Sequence, residues 1–505
     1  MDSQPVTKTV PAVESRLNEA ALATLPREIA RPVYERASVG IGVVHFGPGA
    51  FHRAHQAWFL EKLLPQDRRW GICAVSLRNP DVRDALAGQD NLCTIAIRDE
   101  AISYQVIGAM RQMLVAPENP EAVLQRLCAP STHIVTLTVT EKGYCLAGDG
   151  TLDLSHADIR HDLQNRSAPS SVVGFLAEAL RRRRAAGIAP FTVISCDNLV
   201  DNGTKLARAT AQFARTADAE LARWIESAVF FPRTMVDSIT PATTDALRES
   251  VASALGVQDR WPVQREAFVQ WVIEEGFRGE TPDWDSAGVT LTSDVAGHER
   301  AKLRLLNGAH STLAYVGSLA GYRTVAEAMA DQSLHAIVHT LMTDDILPSL
   351  KAPRGLDLRA YVRAILKRLR NPNMRHELAQ IAWDGSQKLP FRIFGTVRDA
   401  LAAGRPTDRL CLPLAAWMRF VRRAAQRGKT LNDPLSKTLL EVGRACQGRG
   451  AHDVPLFLAL EPVFPADLRN EPRFVQPLTQ VYDANDTSEL TFPPRVREAL
   501  RGTAT

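Results

Sequence analysis

Lys302, Asn307 and His310 stand close together in the run Lys302-Leu-Arg-Leu-Leu-Asn-Gly-Ala-His310, which opens an apolar segment continuing to Gly317. Wound as an α-helix at about 100° per residue, they fall at roughly 0°, 140° and 80°. One side of the helix then carries an amine, an amide and an imidazole. Burying three such groups together is costly unless they satisfy one another or a ligand completes them. The alternative is an amphipathic helix whose polar residues face water. What else the chain can bring to a ligand decides between the two.

A second group lies near the N-terminus. Val39-Gly-Ile-Gly-Val-Val-His-Phe46 reads as a short apolar strand, and Gly47-Pro-Gly49-Ala50-Phe51-His52-Arg53-Ala-His55-Gln56 follows it. Ala57, Leu60, Leu63 and Leu64 then give an amphipathic helix. Strand, Gly-x-Gly turn and helix is the context in which backbone N–H groups approach a pyrophosphate. It marks Gly47, Gly49, Ala50, Phe51 and Arg53 as candidate coenzyme-binding residues. The fingerprint is incomplete, because His52 holds the third glycine position. After the next strand, Trp70–Leu77, a dinucleotide site would place Asp or Glu to hold the ribose hydroxyls. Here Arg78 stands there and the first acid is Asp81. Arg78 could pair with a 2′-phosphate, stack on adenine or lie on the surface, which leaves NAD against NADP open.

The elements needed to position these groups are legible as patterns. Leu92–Arg98 and Ile102–Ile107 read as a hairpin. Strands at Ile134–Thr140 and Phe191–Ser195 each follow a helix-like segment, which argues for an α/β unit with a mainly parallel sheet. Polar clusters fall at their ends, Glu141-Lys-Gly-Tyr144 and Cys196-Asp197-Asn198, where ligands of such sheets collect. Phe231–Pro241 is extended and holds Asp237 inside an apolar pattern. From about residue 295 onward long 3.6-period helices take over, interrupted by Asp384-Gly-Ser-Gln-Lys388-Leu-Pro-Phe-Arg392, which reads as a basic loop. Residues 1–38 read as a polar N-terminal arm.

Composition bounds the rest. A chain of 505 residues is too long for one ordinary core. A net charge of +4 and the lack of a basic, aromatic-interleaved patch give no support to a nucleic-acid partner. The one basic run, Arg181–Arg184, ends a helical pattern and reads as a solvated face. Seven cysteines are scattered without metal-ligand spacing, as expected of buried thiols in a reducing compartment. Residues 1–37 lack the apolar core of a signal peptide, and no run approaches the ~20 apolar residues of a membrane span. A cytoplasmic protein without a membrane partner is the expectation.

Together these motifs resemble the mannitol dehydrogenase family of polyol-specific long-chain dehydrogenases. The resemblance rests on Gly47-x-Gly49-Ala-Phe-His-Arg53-Ala-His55-Gln56, Thr138-Val-Thr-Glu-Lys-Gly-Tyr144 and Ser195-Cys-Asp-Asn198. It continues in Thr234-Met-Val-Asp237, Gln270-Trp-Val-Ile273 and Lys302–His310. Within the family, Glu-Lys-Gly-Tyr-Cys145, Gly385-Ser-Gln-Lys-Leu-Pro390 and Gln380 look more like the fructuronate reductases (mannonate oxidoreductases) than the mannitol 2-dehydrogenases. The implied architecture is a Rossmann-like domain over 39–292 and a helical substrate domain over 293–505.

The resemblance implies a metal-independent hydride transfer between a secondary alcohol and NAD, with NADP kept in play by Arg78. Lys302 would move the hydroxyl proton, for which its pKa must come down from about 10.4 by roughly 2–3 units. Asn198 and Asn307 would donate to the developing alkoxide. His310 would orient substrate or lysine, and Asp237 would bind substrate hydroxyls. Lys388 and Arg392 could supply the cation that a hexuronate carboxylate needs. The expected partner is a small sugar acid or polyol, and the expected assembly a monomer or small homo-oligomer. A neutral-polyol 2-dehydrogenase and a non-catalytic dinucleotide sensor are the rivals.

Overall fold

The computed structural model describes residues 15–483 and Pro494. The chain divides into two compact units, Met1–Val295 and Ala296–Thr505.

The first unit is built on strands β1 (Ile41–Phe46), β2 (Gly71–Ser76), β3 (Cys93–Arg98), β4 (Ile102–Ile107) and β5 (Met110–Val115). Further along come β6 (Ile134–Leu137), β7 (Thr192–Ser195), β8 (Thr234–Asp237), β9 (Val263–Glu266), β10 (Gln270–Glu274) and β11 (Thr290–Thr292). Five of them form the main sheet in the order β5-β2-β1-β6-β7, every neighbour pair parallel. Val43, Val44 and Phe46 of β1 are fully buried, the continuous apolar run of a strand covered on both faces. With the β3–β4 hairpin set aside, this is the order of a doubly wound nucleotide-binding sheet. Direction reverses between β1 and β6, the point beyond whose carboxyl ends ligands gather. Two small sheets, β4-β3-β9 and β11-β10-β8, carry the antiparallel pairings.

Helices cross between the parallel strands where the caps dictate. Pro120–Cys128 starts at Asn119, whose side chain accepts from Ala122 N, and leads into β6. Val172–Ala185 starts at Ser171, which accepts from Gly174 N, and leads into β7. Its basic end is only partly a solvated face. Arg181 and Arg182 pair with Glu178, and Arg182 also with Glu121. Arg183 instead turns inward and donates to the carbonyls of Leu127, Ala129 and Ala189. Those acceptors are an orphan carbonyl of the last turn of Pro120–Cys128 and two loop carbonyls.

Residues 15–38 are not a trailing arm. Leu17 N donates to Gln258 O, Ala30 N donates to Tyr104 O, and Leu17, Leu25 and Ile29 are buried among Leu92, Val106 and Leu247. A few apolar residues in a polar stretch suffice to anchor it once a groove exists to receive them.

The second unit is helical. Among its helices are Leu358–Leu369, Asp408–Gln426 and Ser436–Ala445. The expected basic loop at 384–392 is helix instead: Gly385–Leu389 runs into a π-helical turn, Pro390–Phe394, and then Gly395–Ala402. Asp433 caps its start, accepting from Ser386 N at 2.9 Å and Ser386 Oγ at 2.5 Å. Pro390 has no N–H to give, and the wider turn absorbs the interruption that would break an ordinary helix.

Leu17→Ala is expected to destabilise the protein by about 2–4 kcal/mol, the cost of a buried cavity, read from denaturant midpoints at unchanged slope. A change below ~0.5 kcal/mol would show that the lead-in is not part of the folded unit.

Candidate active site

In the first unit the candidate residues begin at the turn after β1. Gly47 has φ +91°, and a Cβ there would lie 2.2 Å from Thr138 O, so only glycine fits. Its carbonyl collects three donors: Gly49 N at 2.7 Å, Thr138 Oγ1 at 2.7 Å and His45 Nε2 at 3.1 Å. His45 Nδ1 lies 2.7 Å from Thr136 Oγ1, so the imidazole accepts there and donates to the turn. Gly49 differs. It is exposed, and a Cβ would meet nothing closer than Gly47 O at 3.9 Å. The chain's own packing does not demand glycine at 49, and its absence of side chain leaves the backbone open to a ligand's close approach. Ala50 and Phe51 are partly exposed beside it. The residues present therefore fit a dinucleotide at this turn.

His52 explains the missing third glycine. Its ring stacks on His45 at 3.4 Å centroid distance and 15°, both fully buried. Two flat rings in contact bring the short helix α1 (Ala50–Ala54) down onto β1, the role a glycine plays elsewhere. Burial holds both imidazoles neutral, His45 down at about 3 and His52 well below its ordinary value. Arg53 does not reach toward a coenzyme phosphate. It is 1% exposed and donates to the carbonyls of Gly49 and Trp261 and to Cys93 Sγ, tying the helix start to the neighbouring sheet.

Arg78, two residues beyond β2, forms an ion pair with Asp158 at 2.5 Å. Cys145, His156 and Asp158 bring their ligand atoms within 4.8 Å of one another. The Arg78 guanidinium already engages that carboxylate, and burial pushes the Cys145 thiol up to about 11, so the trio is poorly suited to a cation. At the ends of β6 and β7, Asp197 accepts from Val139 N, Thr140 N and Tyr144 Oη. Tyr144 Oη also bonds Ser195 Oγ. This knot fixes the two polar clusters to each other and sets the backbone on which Asn198 is exposed. Asp237 is the last residue of β8, 5% exposed and opposite Gln270 of β10.

In the second unit the candidate residues lie on the helix that carries Lys302. Val295–Ala301 is α-helical, Lys302–Asn307 π-helical, Gly308–Thr312 α-helical and Leu313–Gly317 π-helical again. In a π turn hydrogen bonds close five residues on, so the side chain at 307 swings back toward the line of 302. Lys302 is 9% and His310 7% exposed, and Asn307 is partly exposed. His310 meets His376 edge-on at 5.2 Å. Burial first, then His376, Arg392, Arg368 and Lys302, hold the His310 imidazole well below its ordinary pKa. Burial likewise takes His376 down to about 4. Among the described residues His310 Nε2 is buried and has no hydrogen-bond partner, an acceptor or donor left for a ligand hydroxyl.

Arg392 donates to Ser311 Oγ at 3.0 Å and Asn307 O at 3.5 Å, so its guanidinium braces the Lys302 helix. Lys388 lies four residues along the same helical run from Asp384, 4.0 Å away, with its side chain 31% exposed. His376, Arg368 and Ser311 carry no periodic or motif signal, and only tertiary packing reveals them beside His310 and Arg392.

A nucleotide-binding α/β unit followed by a helical unit with a buried lysine defines a class of coenzyme-dependent oxidoreductase. Residues 41–286 match the mannitol dehydrogenase Rossmann domain and 294–486 the mannitol dehydrogenase C-terminal domain, and the chain belongs to that family. It is an oxidoreductase acting on CH–OH groups. D-mannonate oxidoreductase of Escherichia coli is 41% identical over 464 residues, covering 90% of this chain and 95% of that protein. Mannitol 2-dehydrogenase of Phaeosphaeria nodorum is 38% identical over 480 residues, covering 93% and 83%. The structure of Pseudomonas fluorescens mannitol 2-dehydrogenase in ternary complex with NAD and D-mannitol matches with a TM-score of 0.82 at 37% identity, over 96% of this chain and 99% of that one. No helix among the described residues is long and apolar enough to cross a membrane.

The stacked histidines make stability pH-dependent. Below pH 6.5 the unfolded chain protonates both rings while the folded chain keeps them neutral, so stability falls as pH drops from about 6.5 toward about 3. Linkage gives a loss of about 2 kcal/mol per histidine between pH 7.5 and 5. Denaturant unfolding at the two pH values measures it. His52→Gln is expected to flatten the dependence, and an unchanged slope would contradict the assignment.

Proposed function

We propose that the protein is an NAD-dependent reductase interconverting D-fructuronate and D-mannonate. The observation that carries the uronate reading is the set of cations about His310. Arg392 reaches Ser311 Oγ, on the residue next to His310, at 3.0 Å, and with neutral His376 set aside the charged groups acting on the imidazole are Arg392, Arg368 and Lys302. A carboxylate-bearing sugar gains from such surroundings more than a neutral polyol does. Lys388, on the helix that Arg392 shares, is the candidate for direct contact with the carboxylate. The similarity to D-mannonate oxidoreductase supports the same reading.

Gly47, Gly49, Ala50 and Phe51 would hold the coenzyme by their backbone, with Arg78 at its ribose end. NAD, when bound, supplies the hydride acceptor for alcohol oxidation, and its reduced form the donor for ketone reduction. Lys302 takes the hydroxyl proton in one direction and returns it in the other. Asn307, brought toward Lys302 by the π turn, donates its amide to the alkoxide, and Asn198 is assigned the same kind of donation. Neutral His310 offers Nε2 to a substrate hydroxyl, while His376 and the Arg392–Ser311 bond hold that helix in place. Asp237 is assigned to substrate hydroxyls. The rival reading, a mannitol 2-dehydrogenase, draws on the likeness to the mannitol-bound structure.

Lys302→Ala is expected to lower turnover by roughly 10³-fold or more at an unchanged circular dichroism spectrum. Near-normal turnover would remove Lys302 from the chemistry. Initial rates with reduced coenzyme should favour D-fructuronate over D-fructose at least about tenfold in kcat/KM, and Lys388→Ala should raise KM for fructuronate selectively. Equal or reversed preference would favour the polyol reading.

A further inference from the structure

We propose that Asp158 is a positioning residue that sets coenzyme preference by holding and neutralising Arg78. The inference rests on the dinucleotide reading of the Gly47 turn. β1 and β2 run in parallel with Phe46 opposite Val75, and Gly47 N donates to Val75 O at 2.9 Å. The Gly47 turn and the end of β2 therefore share one edge of the sheet. The end of β2 is where such sheets discriminate a ribose 2′-hydroxyl from a 2′-phosphate, an acid selecting the first and an arginine accommodating the second.

By that rule Arg78, 64% exposed two residues past β2, would select the phosphorylated coenzyme. A guanidinium matches phosphate oxygens with two parallel donors. Asp158 alters this. It comes from the helix Ala157–Gln164, 80 residues along the chain, in the segment that follows β6 on the other side of β1. Its Oδ2 accepts from Arg78 Nη2 at 2.5 Å. Beside Asp81, three residues past Arg78, a second acid is thus delivered from another element, and this one carries its charge directly onto the guanidinium.

Two consequences follow from the chemistry. The pair presents a neutral rather than cationic surface to the ribose, and the carboxylate repels a phosphate dianion brought against Arg78. The Arg78 guanidinium holds the Asp158 carboxyl below the usual carboxylate range, so the charge is present throughout the neutral range. An ion pair with one partner this exposed adds little to stability. Selection of the coenzyme is a use for it that stability is not. Among the described residues His156 Nδ1, 4.0 Å from Asp158 Oδ2, the Cys145 thiol and His161 also act on the carboxylate.

The test is fluorescence titration of NADH and NADPH against wild type, Asp158→Asn, Asp158→Glu and the double variant Arg78→Ala/Asp158→Asn, with kcat/KM for both coenzymes beside it. Wild type is expected to bind NADH at least about tenfold more tightly than NADPH. Asp158→Asn should tighten NADPH by about tenfold or more while changing NADH by less than about threefold. Asp158→Glu should restore the wild-type ratio, and Arg78→Ala in the Asn background should abolish the gain. Wild type that binds NADH, with an NADPH-to-NADH ratio that Asp158→Asn leaves unchanged, overturns the role of Asp158. So does a gain that survives loss of Arg78. Wild type that binds neither coenzyme overturns the dinucleotide reading itself.

Discussion

The widening of one helix to i→i+5 hydrogen bonding between Lys302 and Asn307 is the constraint on which the chemistry proposed for the second unit depends. An ordinary helix would spread the amine and the amide by about 140°; the π turn narrows that angle and costs helical hydrogen-bond geometry to do so. The cost is tolerated because the helix is packed on most sides. Leu305, Leu306, Ala309 and Leu313 are buried, and Arg392 reaches from a second π turn to Ser311 and the carbonyl of Asn307. One wide turn thus braces another. The basic groups about His310 are acceptable in a nearly buried place because burial keeps both histidines neutral.

In the first unit the comparable constraint is the carbonyl of Gly47. Three donors converge on it, one of them from a histidine inside the sheet. That arrangement fixes the turn before any ligand arrives, so a coenzyme need not supply the energy of ordering it. The same histidine forms the floor on which His52 stacks, which reconciles an incomplete glycine fingerprint with close packing of helix on strand. Arg53 shows the limit of reading a motif by residue type. A cation beside a phosphate-type turn invites a phosphate-binding role, yet carbonyls and a thiol engage it inside the unit.

The legible parts of the fold were those with strong local periodicity. Four strands of the main sheet (β1, β2, β6 and β7), the β3–β4 hairpin and the helices after residue 295 announce themselves by apolar spacing, whereas the edge strand β5, with Arg111 and Gln112 in it, does not. The segment 384–392 does not, because glycine, proline and charge imitate a loop where capping by Asp433 and a π turn make a helix. Residues 15–38 look like an arm because their five buried side chains, Leu17, Leu25, Ile29, Tyr34 and Arg36, follow no helical or strand period. Of the site, Lys302, Asn307, His310 and Gly47 were visible as residue types in context. His376 and Asp158 were not, since each acts on a residue far away in the chain, and the stacking of His45 on His52 appears only once the short helix is folded against β1.

Sequence alone therefore determined the family and the parallel sheet with its glycine turn, and it supplied the residues proposed to move a proton or bind an alkoxide. Those properties are carried by residue type and short-range spacing, which need no tertiary contact to be read. Tertiary structure alone decided which cations are engaged by carbonyls or acids and how the Lys302 helix is wound. It also decided which side chains influence His310 and where Arg78 finds its acid. Each is a matter of burial and of partners brought together from distant parts of the chain, and neither quantity is a function of local sequence.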